Sequence, residues 1–504
     1  DSWRQSFAKS FPLPVIDPMS VNNTSRIANF YSDRSVFITG ATGFMGKVLV
    51  EKLLRSCPGI KNIFILLREK KGLNSRQRLD ELLNAKIFDR IKEENEKAIN
   101  KVIAISGDIA APGLGISEND LNTLVKEVSI VFHSAATVKF DEALKTSVEY
   151  NVLGTRRVIE ICHRLSHLVA LIHVSTAYAN CNRREVDETL YPPPAAPQQV
   201  IDAVQWMGDD VINEITPKLI GDRPNTYTYT KALAESLLVE ECGSLPVAIV
   251  RPSIVTAVWR EPFRGWVDNI NGPTGLVLAC GKGLLRTMLF DSSATADLIP
   301  VDTVTNLMIT VAWNTATRRE NTINIYNCTS GLLNPITWGE IEHMAFPILL
   351  RYPSIDVLRY PGGSFKLSRF FNDVSKIYEH LIPAYVIDLF CAITGRKQMM
   401  VKLYGKLHRA VQALEWFTTR QWRFKCNNVI ALYEQLEGKD KEIFHFDIRD
   451  LHWPTYWEDY ILGIRKYVLK EENCTLPQAR KNLQRWVSMA QAIRQAILES
   501  NKSV

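Results

Sequence analysis

The chain has 504 residues, 46% of them hydrophobic and 23% charged, with a formal net charge of +6. That length exceeds one ordinary domain and that composition fills a core, which excludes wholesale disorder. The positive surplus is mild and no dense Lys/Arg tract appears; nucleic acid is therefore not the favoured partner, and a polyphosphate ligand or an anionic membrane surface suits the charge better.

Residues 1–30 lack periodicity and read as an N-terminal arm. From Tyr31 onward, short apolar β-branched runs recur at 36–39, 63–67, 102–105, 130–133, 171–174 and 247–250, with amphipathic stretches of helical length between most of them. Strands that are apolar throughout and alternate with helices are parallel strands covered on both faces. The expected fold class is therefore α/β, a Rossmann-type doubly wound parallel sheet over 31–360. A long insertion at about 183–223 contains "YPPPAAP" and a helical stretch near 200–215. Its place in the order puts it over the carboxyl edge of the sheet, where such folds bind ligands.

Beyond 361 the texture changes. Met400, Leu403, Leu407, Val411 and Leu414 repeat at helical spacing, as do Leu483, Trp486, Ala490, Ile493 and Ile497, predicting a helical C-terminal domain over 361–504. The most apolar segment there, "LIPAYVIDLFCAITG" at 381–395, is short, carries Asp388 and cannot span a bilayer core of ~30 Å. Nine cysteines are scattered without a CxxC pair or metal-ligand spacing, so they read as reduced thiols in a cytosol-facing protein, with no metal expected. Asn22, Asn327 and Asn473 fit glycosylation triplets, but no signal peptide precedes them.

Within the first βα unit, "VFITGATGFMGKVLV" (36–50) sets Gly40, Gly43 and Gly46 between a strand and a helix. Gly40 permits the turn, Gly43 lets backbone approach a pyrophosphate, and Gly46 lets the helix pack on the strand. Unpaired N–H groups at the helix start then face phosphates. Thr39, Thr42, Phe44 and Met45 fall in the same turn and are read with the glycines as cofactor-binding. Arg68, rather than an acid, ends the second strand; a guanidinium there suits the 2′-phosphate of NADPH, although Glu69 follows it. Asp108 and Ile109 in "SGDI" fall where adenine is read, and Ala135 and Ala136 are small enough for a cofactor to lie flat.

"NTYTYTKALAE" contains Tyr227 and Lys231, four residues apart and on one helical face. An ammonium beside a phenol lowers its pKa, and a phenol so tuned can give a proton to a carbonyl oxygen as hydride reaches the carbon. Tyr229 lacks a lysine four residues on. A hydroxyl that orients the oxygen is offered by Thr176, with Ser175 as the alternative, in "HVSTAYAN". Pro252, Ser253 and Ile254 in "RPSIV" follow the sixth strand, where backbone groups can meet the nicotinamide carboxamide. Asn151 in "EYNVLGT" is expected to hold the neighbouring helix and to support Lys231 through water.

Together these motifs resemble the extended short-chain dehydrogenase/reductase superfamily. "TGATGFMGKVLVEKLLRSCP", "FHSAATVKFDE", "ITPKLIGDRPNTYTYTKALAE", "VAIVRPSIVTAVWREPFRGWVDNINGPTG" and "LHWPTYWEDYILGIRKYVLKEE" narrow the resemblance to its alcohol-forming fatty acyl-CoA reductases, over about 31–485. The resemblance implies that a long-chain acyl-CoA and two NADPH give a fatty alcohol and CoA, through a hemithioacetal that expels CoA and an aldehyde that is reduced in turn. Tyr227 would donate protons, Lys231 would tune it and bond the ribose, and Thr176 would hold the oxygen. The insertion and the C-terminal domain would wall the acyl channel. Lys282 and Arg286 could meet CoA phosphates, or simply form a solvated basic helix end. Many such reductases carry a hydrophobic C-terminal anchor; the last twenty residues here are amphipathic, which implies a removed tail or peripheral attachment to the cytosol-facing surface of endoplasmic reticulum or peroxisome. A homo-oligomer stays open. The competing expectations are an extended reductase acting on a nucleotide sugar and a non-catalytic dinucleotide-sensing scaffold.

Overall fold

The computed structural model describes residues 24–485, apart from Lys71 and Asn321, together with Ser488. Most of the expected arm, and the second apolar repeat after Leu483, therefore lie outside the described residues. Eleven strands occur in chain order: β1 (Ser35–Thr39), β2 (Ile63–Leu67), β3 (Val102–Ser106), β4 (Val128–His133), β5 (Ala170–Val174), β6 (Glu185–Val186), β7 (Val247–Pro252), β8 (Ile254–Thr256), β9 (Leu298–Pro300), β10 (Asn324–Cys328) and β11 (Arg423–Phe424). Seven of them form one sheet in the order β10-β7-β5-β4-β1-β2-β3. Every pairing in it is parallel. The chain winds outward from β1 through β2 to β3, then returns to β4 and winds the other way. The switch point thus lies between β1 and β4, at the carboxyl end where the glycine turn begins.

Alternation along each strand explains the unbroken apolar runs. Val36, Ile38, Ile63, Ile65, Ile130 and Phe132 point into one core with Leu49 and Leu53 of the helix Phe44–Ser56 and Val304 and Met308 of the helix Val301–Arg318. Phe37, Phe64, Val131 and Leu171 point into the other, against Leu121, Leu124, Val158 and Ile159. Both faces are covered, so both residue sets must be apolar. The strand β10 completes the sheet at an edge and was not among the six runs; Asn324 and Asn327 break its hydrophobic pattern.

The insertion forms two helices, Pro197–Trp206 and Asp209–Ile220. Val200, Ile201, Val204 and Ile212 pack on Tyr229, Leu233 and Leu237 of the helix Thr226–Glu241. The described residues past 361 are mainly helical and are stitched to the α/β part. Within β6 and β11, Val186 pairs with Phe424 in parallel register. The Tyr456 hydroxyl donates to the Ala257 carbonyl (2.8 Å), and the Tyr460 hydroxyl meets Thr274 Oγ1 (2.7 Å). At the other end, Ser25 caps the helix Arg26–Phe30 and donates from Oγ to Asp440 (2.5 Å). The same carboxylate accepts the backbone N–H groups of Arg26 and Ile27, each at 3.1 Å.

Candidate active site

The turn after β1 is built as its glycines require. Gly40 has φ +80°, and a Cβ there would lie 2.7 Å from the Ala135 nitrogen. A Cβ on Gly46 would lie 2.3 Å from the Gly40 oxygen and 2.6 Å from the Ala41 Cα. Gly43 is different. Its φ is −74°, it caps the helix with no side-chain bond, and a Cβ would meet only the Gly40 oxygen at 3.2 Å. The protein itself thus demands glycine at 40 and 46, whereas the open backbone at 43 fits a phosphate-bearing cofactor. Thr42 is half-buried. Phe44 stacks on Trp266 (5.5 Å between centroids), and Met45 packs against the core. Thr39, expected to touch cofactor, is turned inward: its Oγ1 meets His133 Nδ1 (2.8 Å) and accepts the Ala135 N–H (3.3 Å), a latch across the switch point.

At the end of β2, Arg68 donates from Nη1 to the Tyr150 hydroxyl (2.9 Å) and lies 3.7 Å from the Asp108 carboxylate. Both charged groups remain partly exposed, so the guanidinium is oriented but not enclosed. Asp108 also accepts the Ala110 N–H (3.0 Å). Ile109, expected beside adenine, is buried in the core against Gly154. Ala135 and Ala136 follow β4 and stay half-buried beside the turn.

Tyr227 and Lys231 sit on the helix Thr226–Glu241, which starts cleanly because Asn225 Oδ1 accepts the Thr228 N–H. Tyr227 is half-buried. Burial pushes its phenol up to about 12, and a hydrogen bond with Thr176 pulls the other way. Burial thus prevails over the lowering expected from Lys231. The Lys231 ammonium instead donates to the Val174 carbonyl (2.7 Å), and burial brings it down to about 8 against the opposing pull of Glu235. Desolvation is the largest effect on both groups.

Partners now separate the two hydroxyls that the sequence left open. Ser175 donates to Glu235 Oε1 (2.5 Å), and Glu235 is gripped by Arg251 through Nε (2.8 Å) and Nη2 (2.7 Å). Both members of that ion pair are almost wholly buried. Ser175 is thereby committed to the scaffold, and Thr176 is the hydroxyl beside Tyr227. Asn151 lies in a π-helical turn, Glu149–Leu153. It accepts the Thr137 N–H (2.9 Å) and donates to Thr230 Oγ1 (3.0 Å), so it holds the helix Thr226–Glu241 through Thr230, as expected of it. After β7, the N–H groups of Ser253 and Ile254 are taken by the carbonyls of Cys328 (3.1 Å) and Asp297 (3.2 Å). These donors are therefore not free for a carboxamide. The Pro252 carbonyl lies 3.4 Å from Thr176 Oγ1.

Several contributors were not singled out in the sequence. Glu235 is the next residue of the 227/231 face, four beyond Lys231, which is the signal that could have found it. His133 bonds both Thr39 and Thr155, and burial holds it near pKa 3, so it is a neutral spacer. Phe140 stacks on Tyr227 (5.9 Å) and touches Phe417 (5.3 Å). Tyr178 meets Phe417, Trp422 and Phe424, so the C-terminal part lends the site an aromatic wall. Arg286 is engaged by the protein rather than open to a phosphate: it donates to the carbonyls of Tyr360 (2.9 Å) and Gly362 (2.8 Å) and pairs with Glu379. Asn327 is buried and bonds the Val186 and Lys425 carbonyls, which closes it to glycosylation.

An NAD-binding family model described as "Male sterility protein" matches residues 38–308, and a second model of the same description matches 379–471. The chain is 47% identical over 457 residues to "Fatty acyl-CoA reductase 1" of Xenopus laevis, covering 91% of this chain and 89% of that protein. It is 46% identical to the Homo sapiens protein of the same name, with the same coverage, and 45% identical over 461 residues to "Fatty acyl-CoA reductase 2" of Mus musculus, covering 92% and 90%. Among solved structures, the terminal R domain of the myxalamid PKS-NRPS pathway superposes with a TM-score of 0.58 at 19% identity, covering 86% of this chain and 91% of that one. The reductase domain of a Mycobacterium tuberculosis non-ribosomal peptide synthetase gives 0.56 at 17%, covering 90% and 98%. At those identities the likeness is one of fold, and it is the extended short-chain reductase fold.

Proposed function

Because the chain belongs to the fatty acyl-CoA reductase family, we propose that it delivers the protons for both reductions from Tyr227 and takes the hydrides from NADPH. The protein is an enzyme that reduces fatty acyl-CoA to fatty alcohol. The observation that carries the residue assignment is the helix Thr226–Glu241, which sets Tyr227 one turn from Lys231, whose ammonium is fixed on the Val174 carbonyl at the carboxyl end of β5.

Bound NADPH supplies hydride. The residues fit it: a turn that leaves Gly43 open takes the pyrophosphate, and the half-exposed Arg68 guanidinium takes a 2′-phosphate. Thr176 orients the thioester oxygen, and Tyr227, un-ionised at neutral pH, donates its proton to that oxygen. The resulting hemithioacetal breaks its C–S bond; its hydroxyl proton leaves with CoA thiol, and an aldehyde remains. Once Tyr227 has regained a proton from solvent, a second hydride reaches the aldehyde carbon and Tyr227 protonates its oxygen, which completes the alcohol. Lys231, fixed by the Val174 carbonyl, keeps a positive charge near the phenol and stabilises the phenolate left after each transfer. Phe140 and Phe417 present apolar surface suited to an alkyl chain beside Tyr227.

Among the described residues no helix is long and apolar enough to cross a membrane. Seven of the nine cysteines are buried free thiols. Buried free thiols suit a cytosol-facing protein, and the family reading supports its peripheral attachment at the surface of the endoplasmic reticulum or a peroxisome. The nucleotide-sugar and scaffold alternatives lose their footing against 46% identity across nine-tenths of the chain.

The test is incubation with NADPH and a series of acyl-CoAs, with alcohol identified by mass spectrometry, for wild type and Tyr227→Phe. Wild type should oxidise two NADPH per alcohol, and Tyr227→Phe should fall at least ~100-fold in kcat with unchanged NADPH affinity. A Tyr227→Phe enzyme of near-normal kcat would remove Tyr227 as the proton donor.

A further inference from the structure

Three consecutive segments, Arg369–Lys376, Ile377–Leu381 and Ile382–Ile393, form one helical run with a π-turn in the middle. At 1.5 Å per residue it is about 37 Å long. Its polarity is inverted relative to an ordinary surface helix, which hides its apolar stripe. Phe370, Phe371, Tyr385, Leu389, Phe390 and Ile393 are each 61% to 76% exposed. The face turned to the protein is the polar one, with Asn372, His380 and Asp388 at intervals of eight residues. Asn372 accepts a bond from Thr287 (3.0 Å). His380 accepts the Arg286 N–H (2.9 Å) and meets His408 (2.9 Å). The Asp388 carboxylate accepts the N–H groups of Met399, Met400 and Val401, each at 2.9 Å. It thereby starts the helix Met400–Thr418 and folds the two helices into a hairpin. The polar contacts fix which side faces out, so the apolar exposure is built in.

Charge shows what covers this face. From 389 to 414 the chain contains no Asp or Glu, but it contains Arg396, Lys397, Lys402, Lys406 and Arg409. All five are exposed, and among the described residues none is in an ion pair. The nearby acids are engaged: Glu379 by Arg286 and Arg359, Asp373 by Lys376, Glu415 by Arg369. A second copy on this face would bring the same cations against one another. A lipid surface with anionic headgroups accepts both the apolar stripe and its cationic flank.

We propose that the hairpin at 369–409 is the element by which this enzyme docks on an anionic membrane, its apolar stripe entering one leaflet and its five cations meeting the headgroups. The proposal deepens the peripheral attachment proposed above and rests on it. Geometry adds a reason for placing it there. The helix that begins at the docked hairpin ends near Phe417, against Phe140 and beside Tyr227. Docking would hold the apolar side of the site at a fixed short distance from the membrane, where a long acyl chain or its alcohol partitions.

The full chain carrying Cys474→Ser leaves half-exposed Cys391 as its accessible thiol for an environment-sensitive dye. It is mixed with phosphatidylcholine vesicles with or without phosphatidylserine, at low and high salt. The expected result is sedimentation with the phosphatidylserine vesicles, blue-shifted dye emission, and weakening by salt. Phe390→Glu combined with Ile393→Glu should lower vesicle binding by about 10-fold or more. NADPH oxidation with monomeric acyl-CoA should be unchanged. Lys397→Glu combined with Lys402→Glu should erase the preference for phosphatidylserine. If the apolar double variant binds vesicles like wild type, the hairpin assignment is overturned while peripheral attachment stands. If wild type does not bind vesicles, both fall. A dye already blue-shifted without lipid, or a dimer abolished by Phe390→Glu, would assign the face to the chain's own terminal segment or to a second copy.

Discussion

Replacing each of two glycines in the β1 turn by alanine should separate folding from cofactor binding. At Gly46 the new methyl would sit 2.3 Å from the Gly40 oxygen and 2.6 Å from the Ala41 Cα, both backbone atoms. Relief requires the helix Phe44–Ser56 to move from β1 by roughly 1 Å in a close-packed layer. Overpacking of that kind costs about 1–3 kcal/mol, and the contact here is short enough for the upper end. Better helix propensity returns at most ~1 kcal/mol, leaving a net loss of about 2 kcal/mol. At Gly43 the backbone already suits alanine, and the methyl meets one atom at 3.2 Å. Loss of a good N-cap and gain from a stiffer unfolded chain, each about 0.5–1 kcal/mol, nearly cancel. Gly43→Ala should therefore unfold in urea at the wild-type midpoint, yet bind NADPH at least ~10-fold more weakly in a tryptophan-fluorescence titration, because its methyl occupies the approach to the phosphates. Wild-type affinity in Gly43→Ala would refute the turn as the phosphate seat. A wild-type midpoint in Gly46→Ala would refute the packing argument.

With Lys231 near 8 and Tyr227 near 12, the charged lysine is present below about 8 and lost above it. kcat/KM should thus fall as pH rises through about 8, and Lys231→Arg, which stays charged, should lose that limb; a flat profile there would remove the ammonium from the mechanism. Glu235→Ala strands Arg251, which keeps only the carbonyls of Asp187 (3.2 Å) and Thr189 (3.0 Å). Urea unfolding should show a loss of about 3 kcal/mol, the low end for a broken buried pair, with a smaller loss for Glu235→Gln. A loss under ~1 kcal/mol would mean that the pair does not anchor the helix. Arg68→Gln should leave the melting temperature unchanged and lower the preference for NADPH over NADH by about 10-fold, read from the ratio of kcat/KM values; an unchanged ratio would clear Arg68 of cofactor choice.

Six strands were legible because a parallel strand covered on both faces must be apolar at every position. β10 escaped because its edge position tolerates Asn324 and Asn327. The spacing of Tyr227 and Lys231 was legible for an equally local reason. What spacing cannot give is the direction of a side chain that only tertiary partners decide. Thr39 turns inward to His133, Ile109 into the core, and Ser175 to a glutamate sixty residues away. The phenol's pKa failed for a related reason: the ammonium was visible in the sequence, while the burial that outweighs it was not. The 381–395 segment shows the same limit from outside. Its apolar character was readable, but composition does not state which side faces water.

The clasp between Ser25 and Asp440 joins residues separated by 415 positions. During synthesis Ser25 lacks this acceptor until residue 440 has emerged. The sheet strands β1 to β10 lie between and can pair beforehand. Closure of so large a loop comes late in assembly and fastens two segments far apart in the chain. An Asp440→Ala chain would keep the core residues on either side of it but lose this fastening, leaving the turn around Ser25 open to proteolysis.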